Sequence, residues 1–270
     1  MFTLTGFGDE ISPDLNEQLD LLESEGIQYL DLRGVWGKNV LDLSDAEAAR
    51  VQGELERRGF GVSAIASPIG KIGIDEPFEP HLARFCRALD LAELFHAPYV
   101  RIFSFYVPEG QAARYRDRVM ARLQAMAEAA EGRDVLIGHE NEHGIYGDVP
   151  VRCREIITTI NRPQWRTVFD PANYVLEGIR PFTDAYPLLA DSIGYLHIKD
   201  AHRASRVICP AGEGDGQVRE VLAALKQRGF TGFLSLEPHL SVAGRSGGQT
   251  QPELFRRAVR ALKAMIESLA

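Results

Sequence analysis

The sequence predicts a closed barrel of eight parallel strands, each followed by a helix, and two observations predict it. First, a helix-periodic polar stretch ending near Gly or Pro is repeatedly followed by a short apolar run. Examples are "LLESEGIQYLDLRG", "ELERRGFGVSAIAS", "LFHAPYVRIFSF", "AAEGRDVLIGHE" and "LKQRGFTGFLSLEP". Second, the apolar runs alternate little, as expected for parallel strands buried on both faces. Eight such units favour a single-domain (β/α)8 barrel over an open doubly wound sheet.

The strands are predicted near 2–7, 27–33, 61–67, 98–104, 134–140, 166–170, 193–198 and 232–237. The helices are predicted near 13–25, 44–58, 77–95, 110–131, 149–160, 181–191, 215–228 and 250–268. Ser12-Pro13 offers the first helix an N-cap with Pro at its first position. Ser44 to Glu47 reads as a capping box for the second. Gly26, Gly59 and Gly229 stand where helices should end in a left-handed residue. No Gly-rich dinucleotide fingerprint follows the first strand, and no linker divides residues 1–270.

Composition narrows the function. The net charge is −8 and no Lys/Arg block occurs, which argues against nucleic acid as a partner. No apolar run approaches a membrane span, and "MFTLTGFGDEIS" does not read as a secretory leader. Cys86, Cys153 and Cys209 are scattered, so neither a disulfide framework nor a thiolate metal site is expected, and a reducing cytoplasm fits.

In a barrel of this class the working face lies at the C-terminal ends of the strands. The first strand ends in Asp9-Glu10 and the second in Asp31 and Arg33. The third runs into Ser67 and Lys71, and the fourth into Ser104 and Tyr106. The last four end in "GHENEH", "VFDPANY", "YLHIKD" and "LSLEPH", which carry Glu140, Asp170, His197 and Glu237. Each follows an apolar run directly. Three carboxylates and one imidazole converging from consecutive strands suit one divalent ion, Mn²⁺ first, with Mg²⁺, Co²⁺ or Zn²⁺ as alternatives. Without a cation the carboxylates would repel one another.

On these residues the chain resembles the xylose isomerase-like barrel family, which includes sugar isomerases, ketose 3-epimerases, inosose dehydratases and endonuclease IV. The resemblance implies that Glu140, Asp170, His197 and Glu237 bind one ion. It also implies that Arg203, six residues after His197, contacts substrate. Endonuclease IV carries extra metal histidines near the ends of strands three and four, where this chain has Ser67 and Ser104. A DNA-repair site is therefore not expected. Asn173 stands where the ketose epimerases tend to have His, and Tyr146 where they have Glu.

Strand alternation assigns the neighbours. If Glu140 points inward, Gly138 does too, and His139 faces the helix layer, either packed there or orienting Glu140 through a hydrogen bond. Glu142 is the rival ligand if the strand runs two residues further. His143, on the following loop, is a candidate base near neutral pH. Lys199 points the same way as His197, toward a substrate oxygen or toward Asp170 or Asp200. Glu10, Arg33, Lys71, Trp36 and Tyr106 are candidate pocket walls, and "GRSGGQT" with Arg245 is a Gly-rich loop before the last helix.

The expected reaction is proton transfer beside a carbonyl on a small sugar-like polyol or sugar phosphate. Glu140 and Glu237 would serve as ligands and as base and acid, which makes an epimerase or isomerase. A lyase or dehydratase acting on an oxidised sugar with His143 as base is the first alternative, and a non-catalytic sugar- or partner-binding barrel the second. A homo-oligomer or a partner subunit is compatible with either enzyme reading.

Overall fold

The computed structural model describes residues 2–240 and 250–269. Eight parallel strands close on themselves: β1 Thr3–Gly6, β2 Tyr29–Leu32, β3 Gly61–Ile65, β4 Tyr99–Ile102, β5 Leu136–Glu140, β6 Trp165–Phe169, β7 Ile193–Ile198 and β8 Phe233–Leu236. Each neighbours the next in sequence, and β1 pairs with β8 in register from Thr3/Phe233 to Gly6/Leu236. Closure leaves no unpaired edge.

The helices are α1 Leu15–Ser24, α2 Asp45–Arg58, α3 Glu79–Leu94, α4 Ala112–Ala129, α5 Pro150–Ile160, α6 Pro171–Leu176, α7 Tyr186–Leu189, α8 Val218–Gln227 and α9 Pro252–Glu267. They pack apolar stripes on the barrel. α8 buries Val218, Val221, Leu222 and Leu225, and α9 buries Phe255, Ala258, Val259, Leu262 and Met265, both at helical spacing. A Cβ added at Gly6 would stand 2.9 Å from Phe255 Cζ, so the missing side chain lets α9 seat against β1.

The local signals resolve individually. Ser44 and Glu47 form the capping box, and Gly59 closes α2 at φ 70°. The cap of α1 is Asp14, not Ser12: its carboxylate accepts from the N–H groups of Asn16 and Glu17, and a carboxylate also answers the helix dipole there. The helix predicted over 181–191 is a wide turn at Pro181–Ala185 followed by the single turn α7, because Pro181 and Pro187 each remove a backbone donor. α6 was not anticipated. It starts on Asp170, whose side chain accepts from Asn173 N–H, with Pro171 at the first position.

Among the described residues no helix is long and apolar enough to cross a membrane. The three cysteines are free.

Candidate metal centre

Alternation along β5 decides which way Glu140 points. A Cβ at Gly138 would meet Val168, Tyr195 and Tyr99, all inside the barrel, so Gly138 and Glu140 share the inward face. His139 points outward and is fully buried. Its ring lies against Gly147, where an added Cβ would stand 2.4 Å from Cε1. Neither ring nitrogen finds a hydrogen-bond partner among the described residues, so His139 packs and does not orient Glu140. Burial pushes its pKa down to about 4, against the pull of Glu140.

Glu140, Asp170, His197 and Glu237 converge from β5 to β8, each buried, and offer one donor atom apiece within 4.8 Å of one another. His197 Nδ1 lies 3.0 Å from Glu140 Oε1 and 3.3 Å from Glu237 Oε2. Two ligands of one ion, each at about 2.1 Å, stand about 3.0–3.4 Å apart. Asp170 Oδ2 accepts no aligned hydrogen bond among the described residues. Three carboxylate oxygens and one imidazole at these spacings fit a divalent ion.

Among the described residues, three permanent cations share the cluster. Lys199 Nζ touches Asp170 Oδ2 and Glu237 Oε2, both at 2.8 Å. Arg101 Nη1 donates to Glu140 Oε2 at 3.2 Å, and Arg33 Nη1 to Glu237 Oε1 at 3.1 Å. Burial would raise Glu140 and Glu237, but the surrounding charges outweigh it. His197 and Arg101 hold Glu140 low; Lys199, His239 and His197 hold Glu237 well below the carboxylate range. Burial and the two glutamates push Asp170 up, so of the three carboxylates it most readily keeps a proton. Burial alone would lower His197, yet Glu140 and Glu237 lift it to about 10.

One layer below, Asp31 on β2 accepts from the hydroxyls of Ser63 and Ser235, and Thr5 joins Ser63. Its Oδ2 is 3.9 Å from His197 Nε2, which has no other partner among the described residues. The ring therefore turns Nδ1 to the cluster, while Nε2 faces the Asp31 side without a hydrogen bond among the described residues.

The other predicted residues divide. Asn173 Nδ2 reaches Glu140 Oε1 at 3.4 Å and Asn141 O at 2.9 Å. Glu10 is buried beside Arg33 and His239. Lys71 sits over the Phe103 ring and pairs with Glu142 at 3.0 Å, so the rival carboxylate is engaged outside the cluster. Lys199 does not pair with Asp200, whose carboxylate accepts the N–H groups of Ala201, Gly212, Gly214 and Gly216 and ties down the loop before α8. His143 is exposed and paired with Glu177, away from the four-residue cluster. Arg203 is exposed and lines a separate cleft of about 960 Å³ between the α8 start and the α9 end. Trp36 stacks under Arg50, and Tyr106 is 40% exposed. Ser67 and Ser104 bond backbone groups, and Tyr146 bonds Glu155. Arg245 and its loop lie outside the described residues.

Sequence reasoning missed Arg101 and His239. A signal existed for the first: a lone Arg inside the apolar run "YVRIF" needs a buried partner.

The fold and this cluster define a (β/α)8 barrel with a buried carboxylate–imidazole quartet at the C-terminal ends of its last four strands. The model of the xylose isomerase-like TIM barrel family matches residues 19–267, and the chain belongs to that family. It is 28% identical over 210 residues to a 2-epi-5-epi-valiolone 7-phosphate 2-epimerase of an Actinoplanes species, covering 75% of this chain and 73% of that one. A D-tagatose 3-epimerase-like protein superposes with a TM-score of 0.79 at 17% identity, over 99% of this chain and 98% of that one. An IolI protein solved with a bound zinc atom superposes at 0.73 with 18% identity, over 99% and 98%.

Proposed function

We propose that this chain is a divalent-metal-dependent epimerase or isomerase acting on a small sugar, sugar phosphate or sugar-like cyclic polyol. The observation that carries the reading is the buried quartet Glu140, Asp170, His197 and Glu237, whose donor atoms lie within one ion's reach. The family match and the cyclitol phosphate epimerase relative support the reaction class. Mn²⁺ is the ion we assign first, since the donor set is mostly carboxylate with one imidazole.

When bound, the ion would supply Lewis acidity and a template for two neighbouring substrate oxygens. The chain's own groups supply the proton traffic. Glu140 and Glu237 approach from β5 and β8 with His197 on β7 between them, and both are held ionised. One takes the proton from the carbon beside the carbonyl; the other returns one. Return to the opposite face gives an epimer, and delivery to the neighbouring carbon gives an isomer. Lys199 and Arg101 stabilise the negative charge that develops on substrate oxygen. Asn173 steadies Glu140.

The test is solvent deuterium exchange over ketoses, sugar phosphates and cyclitol phosphates, with Mn²⁺ restored after chelation. Label at one carbon without elimination is expected, and it should vanish in Glu140→Gln and Glu237→Gln. Absence of exchange with every member, in protein that binds no metal, overturns the reading.

A further inference from the structure

A second donor set adjoins the first: Glu10, Glu237 and His239 also bring one ligand atom each within 4.8 Å of one another. We propose that these three residues form a second divalent-cation site, joined to the first through the two oxygens of Glu237. It rests on the reading of the quartet as an ion site and adds a neighbour to it.

Glu237 divides its oxygens. Oε2 faces Lys199 at 2.8 Å and His197 at 3.3 Å. Oε1 faces Arg33 at 3.1 Å and His239 Nε2 at 3.5 Å. A carboxylate that turns one oxygen to each of two donor sets can bridge two ions about 3.5–4 Å apart.

Glu10 carries the second observation. It is 1% exposed, and its Oε2 is satisfied by the His239 N–H at 2.9 Å and the Thr250 hydroxyl at 2.6 Å. Its Oε1 accepts no hydrogen bond among the described residues, although His239 Nε2 stands 3.1 Å away. The two atoms are too close to ignore each other and too far out of line to share a proton. Atoms aimed at a common ion rather than at each other have that geometry, with about 3.0–3.4 Å between ligands. His239 adopts φ 46°, a conformation costly for a side-chain-bearing residue, and its ring stands beside Glu10.

Arg33 approaches the same two oxygens without filling the site. Its Nε is held by Asp9 at 2.7 Å, and its Nη2 stays 3.8 Å from Glu10 Oε1. Of the two site oxygens it donates only to Glu237 Oε1, which has a second lone pair. Two carboxylate oxygens and one imidazole suit Mn²⁺, Co²⁺ or Zn²⁺. The His239 side chain is 30% exposed, so this ion would face the solvent side and could meet a second substrate oxygen.

The full-length protein is stripped with chelator, dialysed against Mn²⁺, and examined by elemental analysis and electron paramagnetic resonance. Two equivalents with an exchange-coupled spectrum are expected. His239→Ala and Glu10→Gln should each drop to one equivalent with a single-ion spectrum while keeping the wild-type circular dichroism. One equivalent in the wild type overturns this inference and leaves the first site standing; no bound ion overturns both. Two uncoupled equivalents that persist in His239→Ala also overturn it.

Discussion

Lys199→Met separates charge balance from ion binding. The ammonium lies 2.8 Å from Asp170 Oδ2 and 2.8 Å from Glu237 Oε2, and it is buried. At an effective dielectric of about 20, one such contact is worth about 6 kcal/mol before desolvation is subtracted. Removing one member of a buried pair costs about 3–5 kcal/mol net, because the carboxylates are left uncompensated. For a domain of this size that lowers the melting temperature by roughly 6–20 °C. Methionine keeps the stem and the volume, so packing loss contributes little. The same ammonium stands against two of the four ion ligands, and it opposes a cation bound there. The variant should therefore bind Mn²⁺ at least about tenfold tighter, near 1.4 kcal/mol, and regain most of its stability when loaded. Calorimetric melts with chelator and with saturating Mn²⁺, together with isothermal titration, read both effects. An equal fall in melting temperature under the two conditions, with unchanged affinity, refutes the reasoning.

Three further perturbations follow from the same geometry. His197 is lifted from 6.5 to about 10, so in ion-free protein its contribution to stability is complete below pH 6.5 and is lost as pH rises through about 10. An ion at Nδ1 must displace that proton, so apparent affinity should tighten by up to about tenfold per pH unit over this window, with a proton released in titrations run in different buffers; His197→Gln should release none. His139→Leu removes a buried ring whose nitrogens have no partner, and urea melts should find it neutral or stabilising within about 1 kcal/mol, with metal affinity unchanged. Asp200→Ala strips the acceptor from four backbone N–H groups and should cost about 3 kcal/mol in the same assay.

The barrel was legible because parallel strands buried on both faces leave unbroken apolar runs, and the quartet was legible because each polar member directly follows such a run. Parity along a strand placed Glu140 inward and His139 outward. Where the chain leaves the strands, parity fails. The family resemblance implies Arg203 as a substrate contact, but here Asp200 gathers the loop at 212–216 and Asp215 accepts the Arg203 N–H, and the side chain lines a different cleft. His143 is two residues beyond the Asn141 anchor, and its ring meets Glu177 instead of the cluster. His239 would point inward or outward by alternation; its positive φ breaks that rule. Arg101 was hidden because a single basic residue in an apolar run carries no position until its partners are known.

The charges at the barrel mouth explain why such a site can be stable both with and without an ion. Among the described residues, Asp9, Glu10, Asp31, Glu140, Asp170 and Glu237 are set against three permanent cations, Lys199, Arg101 and Arg33. Much of the remaining negative charge falls to groups that can exchange protons: His197, lifted to about 10, and Asp170, raised by burial and by its neighbours. An arriving divalent ion displaces protons and keeps the net charge nearly constant, which avoids both the repulsion of bare carboxylates and the desolvation of surplus positive charge. The fold itself rests on the backbone pairing of the closed sheet and on the apolar helix stripes, which form without an ion at the quartet. Chelator-stripped protein should therefore keep its full far-ultraviolet circular dichroism. A cooperative loss of structure on stripping would mean that the ion, rather than the protons and Lys199, holds the carboxylates together.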